Sequence, residues 1–105
     1  MDRRTEPRIE VNQAVTVSKL GDEKSASSGT VTTVSGGGIG VIIDHPLPVG
    51  EPVQVKLAGH LVLGDVRHCT PDGDRYRAGI ELIQRLTQEE LDALVASLRS
   101  NPAED

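Results

Sequence analysis

Apolar and polar positions alternate from the start of the chain. Ile9, Val11, Val15 and Val17 fall on one face, with Glu10, Asn12 and Thr16 on the other. That is the period of a half-buried strand. The stretch KLGDEKSASSG, residues 19–29, is polar and rich in glycine and serine, which predicts a loop. TVTTV at 30–34 is β-branched throughout and predicts a second strand. SGGG interrupts it, and IGVIID at 39–44 resumes as a third. HPLPVGEP at 45–52 is a turn region by its prolines and glycine. VQVKL at 53–57 alternates again as a fourth strand, and HLVLGDVRHCT at 60–70 is a fifth, with Gly64 marking a bulge or a close approach. PDGD at 71–74 is a turn, and RYRAGIELI at 75–83 a sixth strand.

The period then changes. Leu91, Leu94, Val95 and Leu98 recur at helical spacing. Thr87 with Glu90 three residues on is a capping-box signature, and Arg99 suits the negative end of a helix dipole. Asn101 and Pro102 end the helix. Six short antiparallel strands and a closing helix near 87–100 favour a barrel or sandwich. The expected organisation is a flexible basic arm over residues 1–8 and one domain over 9–105.

Composition narrows the function classes. The chain has no Phe, no Trp and a single tyrosine, Tyr76. The core must therefore be aliphatic, and an aromatic platform for single-stranded nucleic acid is not expected. The formal net charge of −5 argues against general attraction to polyanions. The charge is uneven, because Arg3, Arg4 and Arg8 outweigh Asp2 and Glu6 in the first eight residues. A basic arm on an acidic body points to a local anion site. Cys69 is the only cysteine, and neither an apolar run of membrane length nor a secretion signal is present. The expected location is the cytoplasm.

Two segments can carry chemistry. Arginine offers a rigid fork that matches phosphate bidentately and a flat face that stacks on bases. Arg4 and Arg8 stand four residues apart, roughly 13 Å in an extended arm, a span that suits a compact ligand with two phosphates. The second segment is TVSGGGIG, ending at Gly40. Its glycines permit positive φ and close backbone approach, and Ser35 and the neighbouring amides can face an anion. It is neither a Walker loop nor a Rossmann turn, since no Gly-Lys-Ser/Thr follows and a strand comes next.

RRTEPR before the first strand, then TVSGGGIGV about twenty-five residues later, together resemble the PilZ domain family. That family carries Arg-x-x-x-Arg in an amino-terminal arm and Asp/Asn-x-Ser-x-x-Gly on a barrel strand. Arg4 and Arg8 match the first motif, with Arg3 as an extra arginine before it. Ser35 and Gly38 match the second. VRHCTPDGDRYRAGIEL looks like the family's late hairpin. The resemblance implies a six-stranded antiparallel β-barrel with a carboxy-terminal helix. It also implies binding of cyclic di-GMP, a bacterial second messenger. Arg3, Arg4 and Arg8 would clamp the nucleotide, while Thr33, Ser35 and the amides of Gly36, Gly37 and Gly38 would form the floor beneath a guanine.

Thr33 departs from the pattern, standing where the family has Asp or Asn. A lost base-edge contact costs about 1–3 kcal/mol by analogy with DNA readout, a tenfold to hundredfold weakening at about 1.4 kcal/mol per decade. With no output domain in 105 residues, the expectation is a stand-alone receptor or adaptor. It would order its arm on ligand binding and signal to a protein partner. The alternative is a PilZ-like interaction module that has lost nucleotide binding. One ligand or a stacked pair are both open, and the extra Arg3 hints at room for two. His45, His60, His68 and Cys69 lack metal-site spacing, and no residue set suggests catalysis. Neither cofactor nor metal is expected, nor insertion into a membrane. Arg67, Arg75 and Arg77 lie on late strands, where they either extend the positive site or, the reading preferred for each, serve as solvated surface residues.

Overall fold

A computed structural model describes residues 8–100 of the chain. Six strands run in order: β1 (Ile9–Lys19), β2 (Asp22–Val34), β3 (Gly38–Ile43), β4 (Pro52–Leu57), β5 (His60–Asp72) and β6 (Arg75–Leu82). One helix, α1 (Gln88–Ser100), follows. The strands close into an antiparallel barrel in the order β1-β2-β3-β6-β5-β4. Pairing of β4 with β1, Lys56 opposite Thr16 and Val53 opposite Lys19, completes the ring. That stretch of pairing joins the two end strands, β1 and β4, so the sheet closes on itself.

One expectation fails. Residues 19–29 are not a loop: the chain turns at Leu20 and Gly21, and β2 runs on from Asp22. Gly21 has a φ of +81°, a conformation glycine adopts without steric cost. Serines hold the hairpin where aliphatics would mark a strand. The Ser25 hydroxyl accepts from the Lys19 amide at 2.8 Å and donates to the Asp22 carbonyl at 2.7 Å. Ser27 is buried and accepts from the His45 amide at 3.3 Å. A row written in small hydroxyls leaves hydrophobic alternation nothing to detect.

The core is aliphatic. Val17, Val31, Val41, Val53, Val55, Val66 and Ile80 are buried inside the barrel, joined by Leu91, Leu94 and Leu98 of α1. Each buried leucine contributes about 1.5–3 kcal/mol. The described ion pairs all have side chains more than a third exposed, and such pairs are worth about 0–1 kcal/mol each. Apolar burial therefore holds the helix and barrel together.

The helix starts at the capping box. The Glu90 amide donates to Thr87 Oγ1 at 3.0 Å, and the Thr87 amide donates to Glu90 Oε1 at 2.9 Å. Three further bonds fix the helix against the barrel. Gln13 Nε2 donates to the Leu98 carbonyl at 3.1 Å, and Arg99 Nη2 donates to the Glu10 carbonyl at 3.3 Å. His60 Nε2 lies 3.3 Å from Ser97 Oγ.

Candidate functional site

The site begins with register. Gly40 on β3 pairs directly with Gly79 on β6. On its other side Gly40 faces β2, where the register slips so that two residues, Thr32 and Thr33, oppose one. Gly79 faces β5, where the same slip occurs at Arg67 and His68. Each slip is a β-bulge, which turns two consecutive side chains to one face. The burial pattern agrees: Thr32 and Thr33 stand outside between buried Val31 and Val34, while Arg67 and His68 are exposed beside buried Val66.

The glycines make room for their neighbours' side chains. A Cβ on Gly40 would stand 2.6 Å from Thr33 Oγ1 and 3.4 Å from Thr32 Oγ1. A Cβ on Gly79 would collide with His68 Nε2. Two adjacent strands thus present bare backbone on the outer face, with polar walls on either side.

This floor belongs to a groove of about 440 Å³. Its lining includes Thr32, Thr33, Gly37, Gly38, Gly40, His68 and Gly79, with Arg8, Arg67, Arg77, Arg85 and Glu81. Four arginines and one carboxylate converge on a single groove of a chain with net charge −5. Such a concentration favours an anionic ligand. Arg67 Nη1 pairs with Glu81 Oε1 at 2.8 Å, and Arg77 Nη2 donates to Asp72 Oδ2 at 2.9 Å. Arg75 is held away by its bond to Asp44 Oδ1 at 3.0 Å and does not line the groove.

Of the residues singled out in the sequence, Arg8, Thr33, Ser35, Gly37 and Gly38 line the groove. Arg8 reaches it because Ile9 pairs with Val34, which sets the residue before β1 beside Ser35. Arg3 and Arg4 lie outside the described residues. Gly36 is buried and does not line the groove.

The glycine turn is used differently from the expectation. Ser35 Oγ accepts from the Gly38 amide at 3.1 Å, and the Ser35 amide donates to the Gly38 carbonyl at 2.9 Å. Ser35 therefore locks the turn, and the Gly38 amide is engaged. The carbonyls of Gly36 and Gly37 accept from the amides of Leu86 and Leu82 at 2.7 and 2.9 Å. The left-handed conformations fall elsewhere, at Gly21, Gly50, Gly59, Gly73 and Ala58. The open floor is the Gly40–Gly79 pair.

His68, Gly40, Gly79 and Arg85 were missed as site residues. Two polar doublets, Thr32–Thr33 and Arg67–His68, each break the alternation of a strand, and that break is the signal for a bulge. Nothing local marks Arg85, which enters through the folding of the segment after β6. Among the described residues, no group of three or more His, Cys, Asp or Glu side chains is placed to hold a metal ion. No helix there is long and apolar enough to cross a membrane.

Comparison with solved structures returns the same fold. The Bacillus subtilis inhibitor of motility MotI/DgrA matches with a TM-score of 0.69 at 16% identity, over 99% of this chain and 54% of that one. The chain thus spans about half the length of that protein. The PilZ domain of YcgR from Escherichia coli with c-di-GMP matches with a TM-score of 0.64 at 15% identity, over 94% of this chain and 91% of that one. No curated protein matches the sequence. The family model for the PilZ domain matches residues 2–100, and the chain belongs to that family.

Proposed function

We propose that this PilZ domain is a receptor for cyclic di-GMP, that it binds the nucleotide in the glycine-floored groove, and that it passes the signal to a protein partner. The observation that carries the reading is the convergence of Arg8, Arg67, Arg77 and Arg85 on bare β3–β6 backbone. Guanidinium forks match the two phosphates, and the glycine pair lets a planar base approach the sheet. The role is that of a receptor rather than a catalyst.

In this reading the segment carrying Arg3 and Arg4 folds over the ligand from its attachment at Arg8. Ligand contacts repay the ordering of that segment, and the surface so formed is what the partner reads. Trypsin supplies a check on this part. Saturating cyclic di-GMP should slow cleavage after Arg3 and Arg4, and unchanged cleavage would exclude arm closure.

The deciding experiment is calorimetric titration of cyclic di-GMP into the protein and into an Arg4→Ala, Arg8→Ala double variant. Micromolar or tighter binding, lost in the variant, is the expected result, and the fitted stoichiometry separates one ligand from two. A folded protein that gives no heat at two temperatures supports the alternative that Thr33 favours, an interaction module without nucleotide binding.

A further inference from the structure

We propose that His68 is the platform on which a purine base of the ligand stacks, a contact that rests on the reading of the groove as a nucleotide site. The imidazole is folded over the backbone of β6. A Cβ on Gly79 would collide with its Nε2 and stand 2.8 and 2.9 Å from Cδ2 and Cε1. The ring thus occupies a slot that glycine alone leaves open. His68 is nonetheless exposed and lines the groove, so the side of the ring away from Gly79 is open to a ligand.

Three further facts give the ring a task. Among the described residues it has no hydrogen-bond or ion-pair partner. It is the only ring among the described residues that line the groove, in a chain with no Phe or Trp. It also stands in register with Thr33, at the far end of the row Thr33, Gly40, Gly79, His68. Three strand spacings separate the two ends, roughly 14 Å between backbones. The glycines between them clear the space in which a flat base rests against the imidazole with its edge turned toward the Thr33 hydroxyl. Histidine is among the rings on which unstacked bases pack in nucleic-acid recognition. The contact supplies the stacking surface that the composition withholds.

The test uses the full chain and cyclic di-GMP. Titrations compare the unaltered protein with His68→Ala and His68→Phe, and NMR follows the His68 ring protons of the unaltered protein. Alanine should weaken binding roughly 5- to 150-fold, the span of base–aromatic stacking at about 1.4 kcal/mol per tenfold. Phenylalanine should bind within about threefold of histidine, because it keeps the face and loses the nitrogens. The ring protons should move upfield on saturation. Equal affinity in the alanine variant, or equal weakening in both variants, overturns the stacking role, as do ring protons that stay in place. Those outcomes leave the receptor reading intact. Absence of binding by the unaltered protein overturns both. If His68→Ala melts below the unaltered protein, the ring-proton shifts decide alone.

Discussion

Gly40 and Gly79 face each other across β3 and β6, and each is flanked on its outer side by a two-residue bulge. This pairing is why the groove exists. A regular barrel of these strands would send one of each polar doublet inward, where an unpaired polar group costs several kcal/mol. The bulges place all four side chains outside, and the glycines give the inner edge of that crowd room.

Gly79 and Gly64 should therefore answer differently to alanine. At Gly79 the three atoms nearest the new methyl all belong to the His68 ring, the far end of a side chain that can swing away. At Gly64 it meets the Glu81 carbonyl at 2.5 Å and Ile80 Cγ2 at 2.6 Å, backbone and core that cannot. Gly79→Ala should keep its unfolding free energy within about 0.5 kcal/mol and lose cyclic di-GMP affinity as His68→Ala does. Gly64→Ala should lose about 1–3 kcal/mol of stability by overpacking. Urea unfolding of the two variants decides, and equal losses would show that the Gly79 space is structural.

Glu81 is the one carboxylate lining the groove and is engaged by Arg67. Its replacement by glutamine raises the local positive charge and frees that guanidinium. Binding of cyclic di-GMP at low salt should tighten several-fold, and the gain should shrink between about 0.01 and 0.15 M salt as the Debye length falls. Stability should change by under about 0.5 kcal/mol, since both partners are more than half exposed. Weaker binding in Glu81→Gln would show instead that the carboxylate positions Arg67.

The legibility of this molecule follows from which residues carry its signals. Strands whose inward rows are aliphatic, such as β4 and β3, are visible in the sequence because alternation is a hydrophobic signal. The first half of β2 is not visible, because Ser25 and Ser27 occupy its inward row. The anion site is half legible for the same kind of reason. Arg8, Thr33 and Ser35 lie in contiguous motifs, whereas Arg67, Arg77 and Arg85 come together only through closure of the barrel. The Gly36–Gly38 run draws attention to a turn that Ser35 and its own carbonyls already satisfy. The glycines that matter to the floor are single ones on two separate strands, and their partnership is a fact of register.

The capping box at Thr87 and Glu90 should set the stability of α1. Thr87→Ala leaves the Glu90 amide without its acceptor, a loss of about 1 kcal/mol. In a domain of this size that lowers the melting temperature by about 4–8 °C. Thr87→Ser should restore it, since the hydroxyl alone makes the bond. A melting curve unmoved by the alanine change would mean that burial of Leu91, Leu94 and Leu98 holds the helix start without help from the cap.

Thr33 offers the sharpest exchange between affinity and stability. A carboxylate there accepts from both donors on a guanine edge, where a hydroxyl accepts fewer bonds, so Thr33→Asp should tighten cyclic di-GMP binding at least tenfold. Across β1, however, Thr33 pairs directly with Glu10. Two like charges opposite each other on one face repel by about 0.2–1 kcal/mol. Thr33→Asp alone should therefore melt below the unaltered protein, and Glu10→Gln in the same chain should recover the loss while keeping the tighter binding. The contrast separates two accounts of this position. Tighter binding, with a stability cost that Glu10→Gln relieves, means that threonine at this position accommodates its neighbour on β1. Unchanged affinity in both aspartate variants means that no guanine edge reaches Thr33, and that the base is held from the His68 side alone.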